Sequence, residues 1–185
     1  PPVAAEARFC QIQRVVDLII KALAPVLPDK CTAGNAATLS FAAYSGVRPS
    51  GDYWVFLEVN EAAMGGRPIS DGPDTIEELM RNTRNNPLED LGMHIPLICD
   101  RYECRSDVFP GAGKFRGGQG VIKSQRFLTP GFVTHESDRH KDAPWGVFGG
   151  TAGAVGRLET YNSATPGDVT QNHAKFSGLR VEPGD

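Results

Sequence analysis

Arg84 stands in the stretch Asn82-Thr-Arg-Asn85, a guanidinium flanked by two carboxamides. An arginine fork between amides suits a carboxylate, phosphate or bicarbonate oxygen, because its N–H groups meet two oxygens at once. The same residues also suit a loop held by its own hydrogen bonds, and both readings stand. Lys114 and Arg116 lie in the run Pro110-Gly-Ala-Gly-Lys-Phe-Arg-Gly-Gly-Gln-Gly120, where they meet either an anion or bulk water at a hairpin tip. His135 and His140 flank Glu136-Ser-Asp-Arg139. Their spacing does not place two imidazoles on one side of a strand, and with no third ligand in sequence no metal is assigned. Glu136, Asp138 and Arg139 read as a surface or subunit ion network. His94 and His173 are isolated and read as structural. No Ser-His-Asp or Cys-His arrangement stands out, so no catalytic residue is named.

The glycine runs are not a nucleotide site by themselves. A phosphate loop needs Gly-Lys-Ser/Thr, and here Gly113-Lys114 is followed by Phe115. The dinucleotide fingerprint fails because Arg116 stands where its third glycine belongs. The run to Gly120 and the later Pro144-Trp-Gly-Val-Phe-Gly-Gly150 read instead as shaped backbone around a strand, with Gly113, Gly117, Gly118, Gly120, Gly149 and Gly150 as structural glycines. Gly117 and Gly118 are expected to include a positive φ or a bulge that sets the register of that strand.

These residues need elements to position them. Gln11 to Ala24 reads as an amphipathic helix ended by Pro25, with Val15, Ile19 and Leu23 widened by Ile12, Val16 and Ile20 into a core or interface face. Cys31 to Gly46 is rich in small residues that suit close backbone packing. Tyr53 to Val59 is the clearest strand. A short helix is expected at Ile76 to Arg81, where Thr75 and Glu78 have capping-box spacing. Ile95 to Cys104, Val121 to Leu128, Arg157 to Tyr161 and Ala174 to Val181 read as further strands. The fold class is therefore α+β, mixed and β-rich, with one long N-terminal helix and glycine-rich turns. Helix and strands occupy residues 1–105, and a glycine-rich β region occupies residues 106–185.

A 40% apolar, 22% charged composition describes an ordinary globular chain, and a net charge of −3 argues against nucleic acid or an anionic membrane as partner. No apolar run approaches the ~18 residues of a membrane helix. Cys10, Cys31, Cys99 and Cys104 form no Cys-x-x-Cys pair and read as reduced thiols of a cytoplasmic protein. The chain opens Pro1-Pro-Val without methionine and stops in what reads as a turn, so it reads as a fragment of a larger polypeptide.

The succession Arg67, Asp71-Gly, Asn82-Thr-Arg-Asn85, Arg101-Tyr-Glu-Cys-Arg105, Gly111 to Gly120, Glu136-Ser-Asp-Arg139 and Pro144 to Gly150 resembles the hydantoinase B/oxoprolinase family over nearly the whole chain. The resemblance corresponds to the last third or so of a member. It implies the C-terminal part of a B-type catalytic subunit of an ATP-dependent cyclic amide hydrolase acting on a phosphorylated intermediate. The alternatives are a subunit of an acetone or acetophenone carboxylase, or a scaffold of either complex. It further implies an A-type subunit that binds ATP and Mg, the rest of the B-type subunit as partner in a hetero-oligomer, a small-molecule substrate, and a divalent metal, if any, elsewhere in the full subunit. Members commonly carry a His-Thr-His-Met-like stretch where this chain has Glu77-Glu-Leu-Met80, a departure that leaves room for the carboxylase branch.

Overall fold

Among the described residues the elements follow in the order α1 (Ala5–Leu23), β1 (Ser40–Val47), β2 (Tyr53–Asn60), α2 (Leu88–His94), β3 (Leu97–Cys104), β4 (Val121–Phe127), β5 (Gly131–Glu136), β6 (Glu159–Tyr161), β7 (Val169–Gln171) and β8 (Lys175–Val181). This computed structural model describes residues 5–37, 40–60, 62–77, 79–81 and 83–185, with side chains from residue 11 onward. Asn82 and Glu78 lie outside the described residues.

The fold is mixed α/β and mostly strand. An antiparallel sheet has the order β2-β1-β5-β8, and two hairpins, β3-β4 and β6-β7, stand beside it. Alternation decides which side chains face inward. On β2 these are Trp54, Phe56 and Glu58, opposite Gly46, Tyr44 and Ala42 of β1. Phe127 at the end of β4 closes on this face, 5.9 Å from the Tyr44 ring and 6.2 Å from Trp54. Leu91 of α2, Leu97 and Val181 complete the cluster. Each such side chain removed from water contributes about 1.5–3 kcal/mol.

Several expectations are revised. β1 and β5 are strands that the sequence pattern does not mark. β1 carries Ala42, Ala43 and Gly46, whose weak strand preference is overridden by two neighbouring strands. α2, begun by Pro87 and anchored only by Leu91, is likewise absent from the sequence pattern. No helix forms over the described residues of 75–81, which are bend, turn and irregular backbone. On α1 the usual polarity is inverted: Gln13 and Asp17 are 3% and 1% exposed, whereas Ile12, Val15, Leu18, Ile19 and Leu23 are 41–55% exposed. The apolar stripe is therefore not core in this chain. Gly117 and Gly118 are not among the positive-φ glycines, so the reason for glycine at 118 lies elsewhere.

Candidate functional site

Glycine at 118 is explained by proximity. A Cβ there would stand far inside van der Waals contact with the Pro73 carbonyl oxygen, because the backbone of 111–120 lies directly on that of 64–75. Gly118 N–H donates to the Met64 carbonyl at 2.9 Å, Gly72 N–H to Arg116 at 2.8 Å and Thr75 N–H to Gln119 at 2.7 Å. The second glycine run is tied in the same way: Thr151 N–H donates to Ala112 at 2.7 Å, and Gly34 N–H to Trp145 at 2.8 Å. Gly149 has φ +86°, and a Cβ on Gly120 would meet open space. These laced loops wall a cleft of about 1500 Å³.

Asp17 pins α1 to the loops. Its carboxylate accepts from Arg139 Nη2 at 2.8 Å, Trp145 Nε1 at 2.8 Å, Asn35 N at 3.1 Å and Asn35 Nδ2 at 3.3 Å. Arg139 also donates to the carbonyls of Ala36 and Asn35. It sits at φ +61°, a left-handed conformation that costs about 1–2 kcal/mol in a non-glycine residue. A buried carboxylate is tolerated when its lone pairs are filled, which the four donors achieve.

Where the core meets the cleft lies a second buried polar cluster. Lys123 Nζ is 2.5 Å from Glu58 Oε1, and the two side chains are 6% and 7% exposed. Gln125 Nε2 donates to Glu58 at 3.3 Å, and the Lys123 ammonium lies 4.6 Å from the Tyr102 ring centroid. Burial and then the Glu58 carboxylate, which accepts its hydroxyl, push the Tyr44 phenol well above its ordinary value. Lys123 and Gln125 share the inward side of β4 with Phe127, an alternation visible in sequence. Glu58 shares the inward side of β2 with Trp54 and Phe56. That shared register is the sequence signal for a buried ion pair, and it emerges only when the two strands are considered together.

Two histidines reach the same cleft. His135 faces inward from β5, and beyond Glu136 the chain turns back so that His140 brings its ring centroid to 6.5 Å. Strand periodicity keeps them apart; the turn through Arg139 brings them together. Burial, then His140, lowers the His135 pKa to about 4, and burial lowers that of His140.

The residues singled out from sequence are dispersed. Arg84 is exposed, and Asn85 donates to the Tyr102 hydroxyl. Arg116 holds Asp74 through both terminal nitrogens at 2.7 and 2.9 Å, and this hydrogen bonding holds the Asp74 carboxyl below its usual range. Lys114 lies 5.4 Å from the Phe115 ring centroid at the cleft rim. The Glu136-Ser-Asp-Arg139 run does carry linked ion pairs: Lys175 lies 3.2 Å from Asp138 and 3.9 Å from Glu136, Arg14 lies 3.7 Å from Asp138, and Arg139 pairs with Asp17. Among the described residues no group of three His, Cys, Asp or Glu side chains could hold a metal ion. Cys31, Cys99 and Cys104 are free thiols, and no described helix is long and apolar enough to cross a membrane.

A sequence model of the family described as Hydantoinase B/oxoprolinase matches residues 1–185. A protein of Pseudomonas sp. (strain NS671), named as the B-type subunit of a D-/L-hydantoinase, is 40% identical over 187 residues, covering 98% of this chain and 31% of that protein. A 5-oxoprolinase of Pestalotiopsis fici is 29% identical over 162 residues, covering 85% of this chain and 12% of its own length. The chain thus spans less than a third of these relatives. An acetone carboxylase, solved nucleotide-free in work on ATP-dependent acetone carboxylation, superposes with a TM-score of 0.61 at 16% identity, over 84% of this chain and 24% of that one. That likeness is one of fold.

Proposed function

The chain belongs to the hydantoinase B/oxoprolinase family, and from that premise we propose that it is the C-terminal part of a B-type catalytic subunit of an ATP-dependent cyclic amide hydrolase. The family match over all 185 residues carries this reading. In it, an A-type partner uses ATP and Mg to phosphorylate a carbonyl or enol oxygen, and the B-type subunit completes hydrolysis of the activated ring. An ester of phosphate leaves far more readily than the oxygen of a resonance-stabilised amide.

Three of the arginines against the cleft support assigning the nucleotide to the partner. Arg116, Arg139 and Arg105 are each held by a carboxylate of this chain, Asp74, Asp17 and Asp107 respectively. They do not fit a triphosphate. What this chain supplies is a rigid wall: loops fixed backbone to backbone, and a buried polar end at Glu58, Lys123 and Gln125 from which water is largely excluded. Such preorganised dipoles favour a polarised carbonyl because they need no reorganisation during reaction. The rest of the B-type polypeptide packs, in this reading, against the outward apolar stripe of α1, and the assembly is cytoplasmic.

The complete B-type polypeptide, reconstituted with its A-type subunit, is expected to open hydantoin or 5-oxoproline with stoichiometric ATP hydrolysis. Ring opening that proceeds without ATP would overturn the reading. ATP-dependent fixation of bicarbonate onto acetone, with no ring opening, would replace it by the carboxylase alternative. Arg84→Ala should reduce turnover if the exposed loop meets an anionic intermediate, and unchanged turnover would leave Arg84 a structural loop residue.

A further inference from the structure

His135 is 6% exposed and lines the cleft, yet its imidazole has no hydrogen-bond partner among the described residues. Its nitrogens are not among the sealed, unpartnered polar atoms of the described residues, so they open on the water of the cleft, whereas the carboxylates of Asp17 and Glu58 are held by several donors or a close cation. His140 lines the same space, and its ring also lacks a hydrogen bond among the described residues. Two unpartnered imidazoles therefore open on one end of the cleft.

Sheet register defines what faces them. Glu58, Ala42, His135 and Phe176 form one row across the inner side of the sheet, each opposite the next. Ala42, itself buried in the core, separates the Glu58–Lys123 pair from His135. At about 4.8 Å between strands, the backbones of Glu58 and His135 stand roughly 10 Å apart.

Charge then selects the ligand. Lys123 is paired with Glu58, Arg139 with Asp17, Arg126 with Asp100 and Arg116 with Asp74. Asp138 beside His140 is in turn paired with Lys175 and Arg14. Neither sign of charge is in excess in this group, which suits a neutral ligand. A neutral imidazole offers one N–H donor and one nitrogen acceptor. We propose that His135 and His140 form the seat for a small neutral ligand presenting C=O and N–H on one edge, in class a cyclic amide or ureide. An amide in a small ring is held cis and shows both groups on the same side, whereas a trans amide shows them on opposite sides. The low pKa of His135 keeps its ring uncharged through the neutral range, which suits this pairing. The seat rests on the geometry, and the choice of cyclic amide over other neutral ligands rests on the function proposed above.

The test is calorimetric binding of hydantoin to the complete polypeptide, wild type and the variants His135→Leu, His135→Asn and His140→Leu, each checked for cooperative melting. Removing a ligand hydrogen bond should weaken binding about tenfold in His135→Leu, while His135→Asn, which keeps a donor and an acceptor, should stay within about threefold of wild type. Inorganic phosphate in excess should not displace hydantoin. Should His135→Leu not fold, a loss of about tenfold in His140→Leu supports the seat and unchanged affinity overturns it. Wild-type affinity in both folded leucine variants, displacement by phosphate, or zinc ions binding competitively through the two imidazoles would each overturn the proposal. His-dependent hydantoin binding without ATP-dependent ring opening would sink the enzymatic reading and leave the seat standing, and the reverse result would do the opposite.

Discussion

At the scale of single residues the molecule is governed by charges taken out of water in pairs. Removing one member of the Glu58–Lys123 pair strands the other. Lys123→Met should therefore cost about 3–5 kcal/mol in denaturant unfolding, and adding Glu58→Gln to it should return much of the loss, since no unpaired charge then remains. Equal instability of single and double variants would show that Lys123 stabilises through its packed stem alone. His135 gives a second expectation. Its folded pKa of about 4 lies below the ordinary 6.5, so the unfolded chain takes up the proton first as pH falls. The stability contribution is complete above about pH 6.5 and declines towards pH 4, by about 2 kcal/mol between pH 7 and pH 5. Unfolding titrations at the two pH values check this, and His135→Asn should flatten the difference. None of these partners could be named from sequence, because Gln125 and Glu58 are separated by 67 positions and Arg139 and Asp17 by 122.

Among the elements, glycine 118 marks where two irregular backbones touch. Gly118→Val should abolish soluble folding, or lower the melting temperature by well over ~5 °C, since the Pro73 carbonyl cannot retreat without breaking the 64–75 lacing. Recovery of normally melting protein would show that the loops have slack. The importance of this glycine is visible in sequence, but its cause is not. Positive φ and strand register are the local explanations, whereas the actual contact comes from a segment far earlier in the chain. The strands that alternate clearly, β2 and β4, are legible because one face carries aromatic residues. β1 and β5 are not, because central strands of small or mixed residues take their structure from their neighbours. The two histidines illustrate the same limit, as strand spacing says nothing about a chain that turns back after Glu136.

For the whole molecule, the outward stripe of α1 is an apolar face left open to water. The isolated chain should self-associate through it, and light scattering should show the aggregates shrinking when Val15 and Ile19 are replaced by Glu, with the Asp17 network unaffected. A monodisperse wild-type chain at high concentration would contradict this. The Asp17 network also sets a schedule. Trp145 lies 128 positions after the carboxylate it binds. At the usual pace of synthesis, on the order of 5–20 residues per second, the helix leaves the ribosome roughly 6–25 s before that indole does. Through this interval both sides of α1 are unsatisfied: a carboxylate without its donors and an aliphatic stripe without cover. The appearance of Trp145 outside the exit tunnel ends the first deficit and leaves the second, so the stripe outlasts the network as the surface that still needs cover.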